Sequence, residues 1–379
     1  MKFLVRPATL GGEVRIPGSK SHTIRGLLIG SLAGGTSVLR RPLRSADTES
    51  CIAACRALGA DVDDSGDTRW TIRGTGSRPR PRQWSVDVGN SGTTFYLSLA
   101  AAALGNEELQ FDGDEQLRRR SAGPLADALR RMGAIVCSRG NDDCPPITVE
   151  GPIQGGSVSV ECPTSQYLSS LLLSCPLAEG ETHITVPLLN EKPYVDMTCA
   201  WLRHRGIRFE AEEGYGRVHV PGGQRYEAFK AAVPADFSSA TFFLVAAAVT
   251  SSELLLKGLD MDDTQGDKAV VWMLQEMGCS VETGPEGVRI GGPERLTGGE
   301  FDLNATPDAL PAMAVAGCMA EGETRLVNVP QARDKETDRI SAMAEELRKM
   351  GGDVEELKDG MVLRQSPLHG AELDGRGDH

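Results

Sequence analysis

Apolar positions three and four apart, the spacing of one helix face, give way along this chain to short runs in which apolar and polar residues alternate, the spacing of a strand. The change-over recurs. An amphipathic helix that ends on glycine and runs into a strand appears as ALGADVDD, RMGAIVCS, HRGIRFEA, EMGCSVET and KMGGDVEE. Their glycines, Gly59, Gly133, Gly206, Gly278 and Gly351, are separated by 74, 73, 72 and 73 residues. A second series interleaves with the first, an Ala/Leu-rich helix that closes on Gly or Ser and enters a strand: LIGSLAGGTSVL, LAAAALGNEELQ, CPLAEGETHITV, VAAAVTSSELLL and GCMAEGETRLVN. These helices are expected to begin at Ser21, Ser91, Ser165, Ser238 and Asp308, polar residues suited to capping, at steps of 70, 74, 73 and 70 residues.

Each repeat reads helix, strand, helix, strand, with further strand material (RWTIRG, PPITVEG, GRVHVPG, GVRIGG) before the next helix. The fold class is therefore α/β, built from repeated βαβ-type units. No GxGxxG follows the first strand, and the recurrence is too regular for an open dinucleotide-binding sheet. One more step from Asp308 puts a sixth helix start at about residue 380, one position past His379, so the last unit is expected to be missing.

With 379 residues, 40% of them hydrophobic, the chain is long enough for two ordinary domains with substantial cores. The start, MKFLVRPATLGGEV, has no signal-type apolar stretch, and no run approaches the ~18 apolar residues of a membrane span. Nine scattered cysteines suit reduced thiols in the cytoplasm better than a disulfide framework; Cys51 and Cys55, four apart, read as helix-packing residues. The net charge of −13 repels nucleic acid and anionic membranes, and 5% aromatic residues leave few stacking platforms. Any anionic ligand must be held by local cations.

Repeats alone can build a scaffold without chemistry, so function must come from particular residues. Helix N-termini present unpaired N–H groups that favour phosphate or carboxylate. The first such start, Pro17-Gly18-Ser19-Lys20-Ser21-His22-Thr23-Ile24-Arg25, clusters lysine, hydroxyls and arginine without the Gly-Lys adjacency of a P-loop. The second, Gly89-Asn90-Ser91-Gly92-Thr93-Thr94, has glycines that let backbone approach a ligand, and the third is Thr164-Ser165-Gln166. Asp236-Phe237-Ser238-Ser239 reads as a cap, and Thr306-Pro307-Asp308 sets a carboxylate at a helix start for capping or catalysis. Arg118-Arg119-Arg120 by itself reads as a solvated face, and Arg333-Asp334-Lys335-Glu336-Thr337-Asp338-Arg339 as a capped helix start with surface ion pairs. Together, however, Lys20, Arg25, Arg120, Lys335 and Arg339 suit a ligand with several negative charges, and Asp308 and Glu336 suit proton transfer beside it. The six histidines (22, 183, 204, 219, 369, 379) show no metal spacing, and no Ser-His-Asp order stands out.

PGSKSHTIR, GNSGTT, RRRSAGPL, TSQYLSSLLL, EKPYVDMT, ADFSSATFFL, TPDALPAMAV and ARDKETDR, in that order, cover essentially the whole chain. In this the sequence resembles the 5-enolpyruvylshikimate-3-phosphate (EPSP) synthase family, the 3-phosphoshikimate 1-carboxyvinyltransferases. The resemblance implies two similar domains of βαβαββ units, here residues 1–19 with 235–379 and residues 20–234, holding substrates in the cleft between them. It implies that Lys20, Gly92, Arg120, Gln166 and Arg339 bind phosphoenolpyruvate. It assigns shikimate 3-phosphate to Lys20, Ser21, Arg25, Thr164, Ser165, Gln166, Asp308, Gln331 and Lys335. Within that set, Ser21 and Arg25 take the carboxylate, Thr164 and Ser165 the phosphate, and Asp308 and Lys335 the ring hydroxyls. Asp308, Glu336 and Lys20 are the implied catalytic residues. The implied reaction is addition of the 5-hydroxyl to C2 of phosphoenolpyruvate followed by loss of phosphate, without metal or organic cofactor, in a cytoplasmic monomer.

Three departures from the family pattern stand out. Tyr96 occupies a position near which the family commonly carries Arg, which removes one positive charge from the cleft. Glu191 stands where the family often has a phosphate-contacting Ser. The chain ends at Gly377-Asp378-His379, where the family runs on into an Arg, a helix and a later Lys, so two ligand-binding cations are expected to be absent. Two rival readings remain: a catalytically inactive anion-binding homologue or fragment, and a UDP-N-acetylglucosamine enolpyruvyl transferase, whose loop cysteine is not found between Arg118 and Ala122.

Overall fold

The computed structural model describes residues 3–378. Met1 and Lys2 of the opening segment and His379 of the histidine set lie outside the described residues. The chain divides into two compact units, Met1–Pro17 with Pro234–His379, and Gly18–Val233. Each has its own hydrophobic core.

Gly18–Val233 carries helices α1 (Lys20–Leu32), α2 (Ala46–Ala57), α3 (Gly92–Ala102), α4 (Gly123–Arg131), α5 (Gln166–Ser174) and α6 (Lys192–His204), with three four-stranded sheets. One repeat shows the plan. Strand Ser85–Asp87 leads through α3 into Leu109–Asp112, which pairs parallel to it, and α4 then leads into the hairpin Ile135–Ser138 and Ile147–Glu150. The later hairpin strand pairs antiparallel with Leu109–Asp112. Leu109, Phe111, Ile147 and Val149 are buried while the residues between them are half-exposed, the period-two pattern read from the sequence.

The other unit repeats the plan twice, with α7 (Phe237–Val249), α8 (Ala269–Glu276), α9 (Leu310–Met319) and α10 (Arg339–Lys349) and two four-stranded sheets. Two sheets are completed from a distance. Gly11–Arg15 pairs parallel with Glu253–Lys257, and Lys230–Ala232 with Val38–Arg40.

The two helix series have different jobs. The Ala/Leu-rich helices are apolar on most faces, and α1 is buried continuously from His22 to Leu32, whereas α7 leaves Phe242 and Phe243 exposed. A Cβ on Gly26 would meet Leu39 Cδ2 at 2.8 Å and Trp201 Cη2 at 3.1 Å, so small residues here set how closely the layers approach. The other series presents one apolar face; α4 buries Leu125, Ala126, Ala128 and Leu129 beneath exposed charge. Its terminal glycines 59, 133, 206, 278 and 351 take positive φ of 103°, 103°, 71°, 106° and 87°, the left-handed step that ends a helix.

Three helix starts differ from those the sequence pattern suggests. α1 begins at Lys20 with Ser19 at the cap position, so Ser21 lies inside the first turn. Asp236 and not Ser238 caps α7, accepting from Ser239 N at 3.0 Å, because Asp236 is the residue with extended backbone there. Asp308 lies in a tight turn, Pro307–Ala309, ahead of α9, where Pro307 favours the first turn position.

Candidate active site

In the unit Gly18–Val233, α3 packs against both α1 and α5. Gln166, the first residue of α5, donates through Nε2 to Thr93 Oγ1 at 3.3 Å, tying two helix starts together. Its Oε1 is buried without a hydrogen-bond partner among the described residues, an acceptor held ready in the site. Lys20 Nζ lies 3.6 Å from Asp47 Oδ2, and Ser91 Oγ donates to Asp47 Oδ1 at 2.7 Å, so the buried Asp47 joins the start of α1 to that of α3.

Arg120 is the member of its arginine run that turns inward. Arg118 pairs with Asp112 and Arg119 is exposed near Glu115, whereas Arg120 donates to Asn90 Oδ1 at 3.2 Å. A Cβ on Gly92 would stand 2.3 Å from Arg120 Nη1, so the missing side chain is what lets the guanidinium lie against the start of α3. A guanidinium beside a helix N-terminus stacks positive charge on partial positive charge, an arrangement that an incoming anion relieves. The segment is held by Tyr96 and Tyr167, whose hydroxyls both donate to Ser121 O, at 2.9 and 2.7 Å, with rings edge-on at 5.2 Å. Tyr96 is thus a strut here.

Arg25 is 1% exposed. It donates to Thr198 Oγ1 at 2.8 Å, Tyr194 O at 3.0 Å and Ser21 O at 3.1 Å, and burial pulls its pKa down to about 10, still charged at neutral pH. Ser21 is half-buried in the first turn of α1. Thr164 Oγ1, Ser165 N and Ser165 Oγ all donate to one oxygen of Glu191, at 3.2, 3.2 and 3.0 Å. Glu191 itself starts α6 with φ of +56° and is 2% exposed.

In the other unit, Arg339 begins α10 with a side chain only 9% exposed, held by three carboxylates: Asp308 at 2.7 Å, Glu336 at 2.8 Å and Asp378 at 2.8 Å. Burial alone would lower the arginine's pKa, but the three carboxylates outweigh it and raise it, so the guanidinium is permanently charged. The stretch read as surface ion pairs is therefore half right: Arg333 pairs with Asp338 and Glu356, while Arg339 is interior. Gln331 donates to Asn304 O at 3.0 Å and keeps a buried Oε1 with no hydrogen-bond partner among the described residues. Lys335 is half-buried in the loop between Gln331 and Arg339.

The structure thus gathers Lys20, Gly92, Arg120 and Gln166 around three helix starts, sets Thr164 and Ser165 on Glu191, and binds Asp308, Glu336 and Arg339 into one cluster. Asp47, Asn90, Tyr167 and Asp378, to which the sequence pattern assigns no role, contact these residues or, for Tyr167, the neighbouring Ser121. Asp47 sits with Glu49 in the acidic first turn of α2, where nothing local distinguishes it.

The sequence matches the family described as EPSP synthase (3-phosphoshikimate 1-carboxyvinyltransferase) over residues 5–379. The chain belongs to the EPSP synthase family. It is 49% identical to the 3-phosphoshikimate 1-carboxyvinyltransferase of Acetivibrio thermocellus, covering 100% of this chain and 89% of that protein. It is 41% identical to the namesake from Halobacterium salinarum, covering 100% and 90%. Among solved structures, EPSP synthase from Acinetobacter baumannii superposes with a TM-score of 0.79 at 27% identity, covering 98% of this chain and 87% of that one. Membership in this family fits the α/β fold of repeated units.

Proposed function

We propose that this protein transfers the enolpyruvyl group of phosphoenolpyruvate to the 5-hydroxyl of shikimate 3-phosphate, giving 5-enolpyruvylshikimate 3-phosphate and phosphate. The observation that carries the reading is the Arg120 guanidinium lying against the start of α3 at Gly92, with Lys20 and Gln166 tied into the same helix starts. Phosphoenolpyruvate combines a phosphate and a carboxylate, and this arrangement offers two cations, backbone N–H groups and an amide to match.

In this reading C3 of phosphoenolpyruvate takes a proton, the 5-hydroxyl oxygen bonds to C2 as its own proton leaves, and the C2–O bond to phosphate then breaks while C3 gives a proton back. Asp308 and Glu336 carry these protons, with Lys20 assisting, and Arg339 fixes both carboxylates. Charge developing on the leaving phosphate is met by Lys20 and Arg120. Shikimate 3-phosphate is assigned to Lys20, Ser21, Arg25, Thr164, Ser165, Gln166, Asp308, Gln331 and Lys335. Arg25 acts through its hold on the Ser21 carbonyl and on Thr198 as much as by charge. Thr164 and Ser165 engage phosphate once the Glu191 carboxylate yields its place. Work in the cytoplasm as a monomer belongs to the same proposal; nine cysteines without a disulfide support the reducing compartment.

The test is phosphate release by the purified protein with both substrates. One phosphate per shikimate 3-phosphate consumed, dependent on phosphoenolpyruvate, is the expected result; no release from folded protein overturns the proposal.

A further inference from the structure

Sequence spacing hides a histidine pair that strand register reveals. His183 on strand Thr182–Thr185 stands directly opposite His219 on strand Arg217–Val220. Both point away from the buried Ile184 and Val218, onto the solvent side of the sheet. Their rings stack with centroids 4.6 Å apart and planes 11° from parallel. Glu181, just before the first strand, places one carboxylate oxygen 3.4 Å from His183 Nε2 and the other 3.1 Å from His219 Nε2. One ligand atom from each of the three residues lies within 4.8 Å of the others, the one such group found among the described residues.

A hydrogen-bonded trio explains each contact singly, but not why two imidazole nitrogens from different strands converge on one carboxylate. Metal–ligand bonds of about 2.0–2.2 Å in a tetrahedron separate neighbouring ligand atoms by about 3.3–3.6 Å. The observed carboxylate-to-imidazole distances of 3.1 and 3.4 Å already approach that spacing, and all three ligand atoms lie within 4.8 Å of one another. His183 and Glu181 are 54% and 64% exposed, which leaves water to complete the coordination. Glu210 and Glu212 line the adjoining groove of about 400 Å³ with Arg217, adding carboxylates to its rim.

We propose that Glu181, His183 and His219 form a binding site for a divalent transition metal of the zinc class. Two imidazoles and one carboxylate match the preferences of Zn²⁺, Ni²⁺ and Cu²⁺, and not those of Mg²⁺ or Ca²⁺, which take oxygen ligands. None of the three residues is assigned to substrate. An ion here cross-links two strands of the sheet built from Gly156–Ser159, Thr182–Thr185, Arg217–Val220 and Glu210–Ala211, so its effect falls on stability.

The experiment is calorimetric titration of the full chain with zinc chloride after EDTA treatment. Cys137 and Cys144, the thiols that are not buried, are replaced by Ser in every sample. One zinc is expected per chain, with affinity weakened about tenfold or more in His183→Ala, His219→Ala and Glu181→Gln, since even supporting partners of metal ligands cost that much. Zinc should also raise the unfolding midpoint of the protein but not of His219→Ala, with the rate of enolpyruvyl transfer unchanged. Midpoints measured in EDTA distinguish loss of metal from loss of fold, and the exposed Glu181→Gln keeps the test open if a histidine variant misfolds. Equal zinc affinity in parent and variants, magnesium binding as strong as zinc, or no saturable binding at millimolar zinc overturns the proposal.

Discussion

Replacing Glu191 tests the assignment of the Thr164–Ser165 turn most sharply. Three donors meet one oxygen of the Glu191 carboxylate at 3.0–3.2 Å in a site where the residue is 2% exposed. A substrate phosphate that uses those donors must displace the carboxylate. If both anions stayed, unit charges about 4 Å apart would repel by about 4 kcal/mol at an effective dielectric constant of about 20. Withdrawal of the side chain costs less, the net worth of its hydrogen bonds, about 1.5–3 kcal/mol for bonds to a charged group. At 1.4 kcal/mol per tenfold, Glu191→Ser should lower the KM for shikimate 3-phosphate roughly 10- to 100-fold. The KM for phosphoenolpyruvate and kcat should stay within a few-fold. Glu191→Gln, which keeps an acceptor but loses the charge, should fall between. The assay is initial rate against shikimate 3-phosphate at saturating phosphoenolpyruvate, with the unfolding midpoint as control for fold. An unchanged or raised KM for shikimate 3-phosphate in a stable Glu191→Ser would refute the reasoning and make Glu191 a structural partner of the turn.

Gly92→Ala forces the Arg120 guanidinium off the start of α3, because the new Cβ would stand 2.3 Å from Nη1. The KM for phosphoenolpyruvate should rise at least tenfold, while stability, read by urea unfolding, changes by less than ~1 kcal/mol because a flexible side chain can move aside. Arg339→Met leaves Asp308, Glu336 and Asp378 facing one another without their shared cation, and should cost about 3–5 kcal/mol in urea unfolding besides abolishing turnover. Asp308→Asn and Glu336→Gln should each lower kcat by about 10²–10⁴-fold, with substrate binding, measured by calorimetry, largely retained in Glu336→Gln and weakened for shikimate 3-phosphate in Asp308→Asn. Asp47→Asn weakens the hold on Lys20 and Ser91; kcat/KM should drop about tenfold through kcat, and replacement by Glu should restore less than half of it.

What the sequence made legible was whatever is decided within a few residues. Terminal glycines such as Gly59 announce themselves because only glycine takes positive φ there without strain; a Cβ would also meet Arg80 O at 2.5 Å. The inner helices announced themselves by being apolar all round. Residues whose meaning depends on distant partners did not. Arg339 looked like a surface charge until three carboxylates, one of them 39 positions away, enclosed it. Nothing local marks Asp47, whose hydrogen bond comes from Ser91, 44 positions on. Glu191 was legible as an odd residue for its position, but its contact with Thr164 and Ser165 depends on a left-handed backbone that sequence pattern does not encode. The helix starts slipped by one or two residues because several hydroxyls and carboxylates compete for each cap, and backbone geometry decides among them.

The strand Gly11–Arg15 has its partner at Glu253–Lys257, with a separation of 242 positions spanned by the neighbouring bond from Leu10 to Ser252. During synthesis the first strand therefore emerges long before anything exists for it to pair with. At about 5–20 residues per second, that wait is roughly 12–50 s. Meanwhile the unit Gly18–Val233 is made in full, and its own closing strand, Lys230–Ala232, arrives almost last to pair with Val38–Arg40. Assembly on the ribosome is ordered from the inside of the sequence outward: the inserted unit closes first, and only then can the opening strand find its sheet.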